Sequence, residues 1–212
     1  MTTAARLGIG GPVGSGKTAL LECIVPLLTN QGIEVAIVTN DLLTTEDAER
    51  LKSGGILPSD RIIGVETGSC PHTAIREDPT MNILAVQDLE QLFPNLNLIM
   101  IESGGDNLAS TFSYDLVDAY CFVIDVGAGD DIPRKKGPGF MQADLVVINK
   151  IDLAPYVNAN LNLIRKQASV YRQSKPIAYT NCKTGVGLNE VVNFILERVL
   201  FRTALSVKNL EK

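Results

Sequence analysis

The chain has few of the residues that mark secreted, disulfide-bonded or membrane proteins. Its 212 residues contain no tryptophan, one histidine and four cysteines, and Cys23, Cys70, Cys121 and Cys182 form no C-x-x-C pair. Such scattered thiols exclude the disulfide framework of a small secreted domain and suit a reducing compartment. No apolar run approaches the length of a membrane span, and residues 1–6 lead into a predicted strand without a signal-peptide pattern. We therefore expect a cytoplasmic protein with no membrane partner.

Runs of basic residues are also missing. The chain has 19 lysines and arginines against 24 aspartates and glutamates, which gives a net charge of −5. Pairs such as Lys135-Lys136 are too short to form the basic face that nucleic-acid binding requires, so nucleic acid is excluded as a partner. With 45% hydrophobic residues, the chain can bury a sizeable core. We expect a single domain over residues 1–212.

Short apolar runs alternate along the chain with segments of helical periodicity. Strands are predicted at 6–10, 34–40, 61–65, 96–102, 119–126, 144–149 and 176–180. Helices are predicted at 18–30, 44–52, 81–92, 157–173 and 188–201. Alternation of this kind predicts an α/β protein with a mostly parallel sheet flanked by helices on both faces. Ligands of such sheets bind at the carboxyl ends of the strands.

A complete G-x-x-x-x-G-K-[ST] phosphate loop follows the first predicted strand. It consists of Gly11, Pro12, Val13, Gly14, Ser15, Gly16, Lys17 and Thr18. A glycine-rich turn lets backbone N–H groups face the β- and γ-phosphates, and the helix that follows adds its positive N-terminal end. Lys17 would neutralise phosphate charge, and the Thr18 hydroxyl would ligate Mg²⁺. The motif therefore predicts a phosphate-loop NTPase.

An N-K-x-D sequence, Asn149-Lys150-Ile151-Asp152, ends a later apolar strand. It resembles the base-reading motif of GTPases. A carboxylate at Asp152 can accept hydrogen bonds from N1–H and from the exocyclic amine of guanine, whereas adenine offers no such pair of donors. The loop after the next strand holds Cys182 and Lys183, which we expect beside the base. These motifs predict GTP as the nucleotide and a single GTP-binding domain.

Two acidic segments follow other strands of the predicted sheet. Asn40-Asp41 closes the second strand, where either Asp41 or the nearby Glu46 would reach Mg²⁺. Glu102 ends a further strand and is followed by Gly104-Gly105, which can change backbone angles when the γ-phosphate is lost. We assign Mg²⁺ to Thr18, Asp41 and Glu102, and catalysis to Lys17 and Asp41.

The sequence Cys70-Pro71-His72 combines a thiol with the only histidine of the chain in a predicted exposed loop. A thiolate and an imidazole suit a soft or borderline divalent metal ion. Two ligands do not close a four-coordinate site, so a two-fold dimer would have to supply both residues from each copy. The chemistry allows tetrahedral Zn²⁺ or planar Ni²⁺, and a turn with a partly buried thiol is the alternative.

Taken together, these motifs resemble the UreG family, the nickel-handling GTPases among the urease accessory proteins. The matching segments are GGPVGSGKT at 10–18, VTND at 38–41, GVETGSCPHTAIRED at 64–78, ESGGDNL at 102–108 and VINKIDLAP at 147–155. The resemblance implies slow GTP hydrolysis with Mg²⁺, a homodimer in the GTP and nickel state, and Ni²⁺ at Cys70 and His72. It also implies nickel delivery to apo-urease in a complex with the other urease accessory proteins.

The chain departs from the family pattern at a few points. Ser69 stands where the family usually has a second glycine. The histidine-rich N-terminal extension of some relatives is absent, so we expect no metal storage beyond the dimer site. The N-terminal cysteine cluster of the hydrogenase nickel GTPases is also absent, which favours urease over hydrogenase as the client. Three alternatives remain open: a nickel GTPase for hydrogenase maturation, a phosphate-loop kinase of small molecules, and a metal buffer for which nucleotide is incidental.

Overall fold

The computed structural model describes residues 3–41, 46–68, 71–105 and 111–202. Within these ranges the strands are β1 Ala5–Gly10, β2 Val35–Asp41, β3 Ile62–Glu66, β4 Leu98–Glu102, β5 Ala119–Asp125, β6 Leu145–Asn149 and β7 Ile177–Tyr179. The helices are α1 Lys17–Thr29, α2 Glu46–Ser53, α3 Pro71–Arg76, α4 Thr80–Leu92, α5 Ile132–Lys135, α6 Pro138–Gln142, α7 Leu161–Arg172 and α8 Leu188–Phe194. None of these helices is both long enough and apolar enough to cross a membrane.

All seven described strands belong to one parallel sheet in the order β3-β2-β4-β1-β5-β6-β7. The chain leaves β1 toward β2 on one side and later returns to β5 on the other, so the order reverses beside β1. Crevices at such a switch point open at the carboxyl ends of the strands. The predicted parallel sheet is confirmed, and the phosphate loop follows its central strand.

Helices cover both faces of the sheet, as predicted. One buried cluster packs α1, α2 and α8 against Leu7 and Val123, and a second packs α4, α6 and α7 against Ile99 and Ile148. The central strands are buried on both faces, which explains why β4 and β6 show continuous apolar runs rather than alternation.

Three short helices differ from the sequence prediction. α3, α5 and α6 each carry a proline in the first turn, at Pro71, Pro133 and Pro138. Proline fits the start of a helix because its fixed φ suits that position, yet in the sequence it indicates a turn. The prediction that His72 lies in an exposed loop is therefore wrong. His72 is half-buried in the first turn of α3.

Two predicted helices are shorter than their apolar periodicity suggested. α7 begins at Leu161 because the side chain of Asn160 accepts a hydrogen bond from the backbone N–H of Leu163, at 3.1 Å. α8 ends at Phe194, and a π-helical turn, Ile195–Val199, continues the last segment. Predicted residues 44–45 of the second helix lie outside the described ranges.

One buried arginine, at the end of α7, connects the elements around the β6–β7 edge of the sheet. Arg172 is 3% exposed and donates through Nη2 to the carbonyl oxygens of Ala143 and Pro176, at 2.9 and 3.2 Å. Its Nη1 donates to the carbonyl oxygen of Phe140. Burial lowers the pKa of this guanidinium. Arg172 thereby fixes the ends of α6, β6 and β7 relative to α7.

We predict that Arg172→Lys destabilises the fold by about 3 kcal/mol, because a single ammonium does not replace a planar fork and leaves buried carbonyl groups unpaired. The melting temperature should fall by roughly 10 °C. Calorimetry would measure the change. The control is Arg165→Lys, since Arg165 is exposed on the same helix and lies 4.8 Å from the Tyr179 ring centroid. Equal losses of stability in both variants would show that Arg172 does not hold these elements together.

Candidate functional site

The phosphate loop runs from the end of β1 to α1 and closes on Gly16, whose φ is 95°. A Cβ at Gly16 would lie 2.4 Å from Asn149 Nδ2, so only glycine fits there. Among the described residues, no side chain caps α1 at Gly16. The N–H groups of the first turn are therefore available to an anion. Lys17, which is 7% exposed, donates to the carbonyl oxygen of Pro12 at 3.2 Å.

Asn149 connects the phosphate loop to the loop after β7. Its Nδ2 donates to the carbonyl oxygen of Ser15 at 3.1 Å, and its Oδ1 accepts from Thr180 Oγ1 at 3.0 Å. Lys150 reaches the same loop, because its Nζ donates to the carbonyl oxygen of Gly14. The first two residues of the N-K-x-D sequence therefore hold the phosphate loop in place.

Asp125, a site residue that was not predicted, forms an ion pair with Lys150 from the end of β5. Its Oδ2 lies 3.4 Å from Lys150 Nζ, while its Oδ1 accepts from the backbone N–H of Gly127 at 2.7 Å. Lys150 adopts a left-handed φ of 56°, which is uncommon outside glycine. The signal for Asp125 was available: it is an acidic residue at the carboxyl end of a predicted strand, on the same edge as the site.

A cleft of about 420 Å³ opens beside this loop contact. Its lining includes Gly16, Asn149, Lys150, Asp152, Cys182 and Lys183. Asp152 is exposed, so its carboxylate is free to meet a ligand. The structure thus brings the predicted base-reading residues together at one cleft. Burial raises the pKa of Cys182 to about 11, which keeps this thiol protonated at neutral pH.

A second cleft of about 280 Å³ lies over the phosphate loop. Val13, Gly14, Gly16, Lys17 and Thr18 line it together with Asp47, Arg50, Gly104 and Gly105. Gly105 has a φ of 93°, and a Cβ there would lie 2.4 Å from Val13 Cγ2. The glycine segment after β4 therefore packs directly on the phosphate loop. The two clefts share Gly16 and Ala19, so together they can hold a base and its phosphates.

Thr18 meets two carboxyl groups at the back of the phosphate cleft. Its Oγ1 lies 2.7 Å from Glu102 Oε1 and 3.1 Å from Asp47 Oδ1. One hydroxyl proton satisfies only one of these oxygens, so both contacts form when Glu102 carries a proton of its own. Burial raises the pKa of Glu102 to about 7, which fits this arrangement. Asp47 was not predicted, although its place in the acidic first turn of α2 was a signal.

The residues at this corner fit a magnesium ion bound with phosphates. Glu102 Oε2 and Ser15 Oγ are buried without a hydrogen-bond partner among the described residues. A hydroxyl and carboxylates are the hard oxygen ligands that Mg²⁺ prefers. The side chain of Asp41 is half-buried at the end of β2, and its carbonyl oxygen accepts from the Thr67 N–H at 2.9 Å. The sequence alternative, Glu46, is exposed at the start of α2.

The metal motif lies only partly within the described ranges. Cys70 and Ser69 are outside them, whereas His72 belongs to α3. The preceding strand, β3, pairs with β2, and its extension is fixed by Thr67, whose Oγ1 and N–H both donate to the carbonyl oxygen of Asp41. The segment that leads into Cys70-Pro71-His72 therefore leaves the end of β3 beside the end of β2, the strand that carries Asp41.

We predict that Glu102→Gln changes the pH dependence of stability of the nucleotide-free protein. The folded protein keeps a proton on Glu102 between the ordinary pKa of 4.5 and about 7, whereas the unfolded chain releases it. The carboxyl group therefore lowers stability as pH rises through this window. Relative to the parent, the variant should gain about 2 to 3 kcal/mol between pH 5 and pH 8.

Urea denaturation in the presence of a chelator would measure this difference. The control is Glu46→Gln, because Glu46 is an exposed carboxyl group at the start of α2. A constant offset between Glu102→Gln and the parent at both pH values would show that the folded protein holds no extra proton on Glu102.

Comparison with known proteins agrees with this geometry. Residues 5–179 match the family described as "CobW/HypB/UreG, nucleotide-binding domain". The chain is 99% identical over 212 residues to the urease accessory protein UreG of Trichodesmium erythraeum (strain IMS101), and the match covers 100% of both chains. It is 59% identical over 198 residues to UreG of Yersinia enterocolitica, which covers 92% of this chain and 90% of that one.

The fold is also that of a solved structure, HypB from Helicobacter pylori in complex with nickel. The TM-score is 0.75 at 24% identity, and the match covers 96% of this chain and 91% of that one. The resemblance inferred from the motifs is confirmed, and with it the phosphate-loop NTPase fold. The chain belongs to the UreG family of urease accessory proteins, within the CobW/HypB/UreG nucleotide-binding domains.

Proposed function

We propose that this protein is a GTP-hydrolysing metallochaperone that carries Ni²⁺ and facilitates its GTP-dependent insertion into apo-urease. The observation that supports this most strongly is the position of the metal motif. The motif follows β3 in sequence, and Thr67, directly after β3, is hydrogen-bonded to the carbonyl oxygen of Asp41, which we assign to the nucleotide site. The relatives named urease accessory protein UreG support urease as the client. The HypB structure, solved in complex with nickel, supports nickel as the cargo.

Asp152 is the residue that we assign to base selection. Asn149 and Lys150 are engaged with the phosphate loop, whereas Asp152 is exposed in the adjoining cleft. Its carboxylate would accept two hydrogen bonds from guanine and would face an acceptor if adenine were bound. The protein should therefore bind GTP in preference to ATP.

Lys17, Thr18, Asp41 and Glu102 are the residues that we assign to the triphosphate and Mg²⁺. Mg²⁺ bound there would neutralise charge on the β- and γ-phosphates during hydrolysis. Lys17 would move from the carbonyl oxygen of Pro12 to the phosphates, and Gly105 lies on the phosphate loop where loss of the γ-phosphate can be sensed. Such a site hydrolyses GTP slowly when no partner supplies a further catalytic group.

Nickel is the cargo rather than a resident cofactor in this proposal. Cys70 and His72 supply two ligands, so a homodimer in the GTP and nickel state would close a Cys₂His₂ set around one ion. The dimer would then meet the other urease accessory proteins and apo-urease in the cytoplasm. Hydrolysis would release the ion by relaxing the segment that Asp41 and Thr67 hold together.

We predict that Asp152→Asn weakens GTP binding by about 100-fold and leaves ATP binding nearly unchanged, because the amide loses the pair of charge-assisted contacts to guanine. Competition against a fluorescent guanine nucleotide would measure both constants. Glu190→Gln, an exposed acid outside the base cleft, is the control. If ATP competed as well as GTP in the parent protein, a small-molecule kinase would be the better proposal.

The carrier proposal predicts a dimer that depends on both GTP and nickel. Light scattering with Ni²⁺ and Mg²⁺ should give a dimer holding one nickel per two chains with a nonhydrolysable GTP analogue, and a monomer with GDP. Lys17→Ala should abolish the dimer because the triphosphate loses its principal cation.

Cys70→Ala and His72→Ala should lose the metal and still bind nucleotide. A nickel-free monomer in every nucleotide state of the parent would contradict the carrier proposal. Nickel binding of equal affinity with GDP and with the GTP analogue would favour a metal buffer.

A further inference from the structure

Two asparagine side chains are completely buried between the nucleotide site and the metal motif. Asn40 is the residue before Asp41 on β2, and Asn82 lies in the first turn of α4; each is 0% exposed. Buried amides are costly unless all of their donors and acceptors are paired. Neither residue belongs to the nucleotide or metal ligand sets assigned above.

The two amides bond to each other through both of their ends. Asn40 Nδ2 donates to Asn82 Oδ1 at 2.9 Å, and Asn82 Nδ2 donates to Asn40 Oδ1 at 2.8 Å. Each nitrogen has a second acceptor, which is a backbone carbonyl oxygen. Because a carbonyl oxygen only accepts, these contacts fix which way both amides face.

The second acceptors lie in the two functional regions. Asn40 Nδ2 donates to the carbonyl oxygen of Glu102 at 3.0 Å, and Asn82 Nδ2 donates to that of Ala74 at 2.9 Å. Glu102 contacts Thr18 at the phosphate corner, and Ala74 belongs to α3, two residues after His72. Hydrogen bonds through Asn40 and Asn82 therefore connect the backbone of Glu102, whose side chain contacts Thr18, to the helix that contains His72.

We propose that Asn82 is a positioning residue that links α3 to the nucleotide site, so that triphosphate binding sets the position of His72. This rests on the proposed nickel-carrier function. A shift of Asn40 or of the Glu102 carbonyl group on nucleotide binding breaks amide contacts in a dry interior unless Asn82 follows. Asn82 holds Ala74, so α3 moves with it.

The proposal predicts that Asn82→Ala uncouples nickel from nucleotide. In the parent, the ratio of the Ni²⁺ dissociation constants with Mg-GDP and with a Mg-GTP analogue measures the coupling, which is typically 5- to 150-fold in proteins. In Asn82→Ala this ratio should fall to about one, while the affinity for the GTP analogue itself changes less than about threefold. Calorimetric titration would give all of these constants.

Leu89→Ala is a control that separates loss of nickel–nucleotide coupling from loss of fold stability. Leu89 is 0% exposed on the same helix, α4, and packs in a buried apolar cluster without bonding to either amide. It should destabilise the fold at least as much as Asn82→Ala and keep the parental coupling ratio. Asn40→Ala should also lose the coupling, and the double variant Asn40→Ala, Asn82→Ala should lose no more than either single variant.

A measurement on the parent protein tests the proposal even if the variants do not fold. The side-chain amide signals of Asn40 and Asn82 in nuclear magnetic resonance should differ between the GDP and GTP-analogue states, together with the backbone amides of α3. Unchanged amide signals, or a parental coupling ratio in Asn82→Ala, would overturn the positioning role.

Failure of the carrier proposal has a different signature. If the parent showed no difference in nickel affinity between nucleotides, the proposed function would fall. The link through Asn82 would still stand if the α3 amide signals responded to the GTP analogue in the parent and in Leu89→Ala, but not in Asn82→Ala.

Discussion

The parallel sheet is the constraint on which the rest of the structure depends. Because all its described strands run in one direction, residues far apart in sequence meet at one edge. The phosphate loop after β1, Asp41 after β2, Glu102 after β4 and Asn149 after β6 all lie there. Several of its polar side chains bond across this edge: Thr18 and Asn40 to Glu102, and Asn149 to Ser15.

Burial of polar groups makes this edge responsive to a ligand. Glu102 and Asn40 are completely buried, and Asn149 nearly so, which is costly unless every hydrogen-bonding group is paired. Burial raises the pKa of Glu102 to about 7, while Asn40 and Asn149 donate to the backbone carbonyl groups of Glu102 and Ser15. In the proposed function, a cation or phosphate that enters the site would change these hydrogen bonds and the neighbouring segments that they hold.

The sequence predicted those parts of the site that consist of short, contiguous motifs. The phosphate loop and the N-K-x-D sequence are short motifs next to apolar strands, and the family followed from them. Asp47, Asp125 and Asn82 were not predicted because their roles come from partners 25 to 42 residues away in the chain. The helix at His72 was missed because proline at a helix start and proline in a turn look alike in sequence.

Reciprocity between the two sites is the most direct test of a nucleotide-gated nickel carrier. If one ligand increases the affinity for a second ligand, the second must increase the affinity for the first by the same factor. The measurement is the affinity for a nonhydrolysable GTP analogue, with Mg²⁺, in the absence of nickel and at saturating Ni²⁺. A nucleotide-gated carrier predicts that saturating Ni²⁺ increases the affinity for the GTP analogue. The factor should equal that by which the analogue increases the affinity for Ni²⁺. An affinity for the analogue that is the same with and without Ni²⁺ would contradict the account.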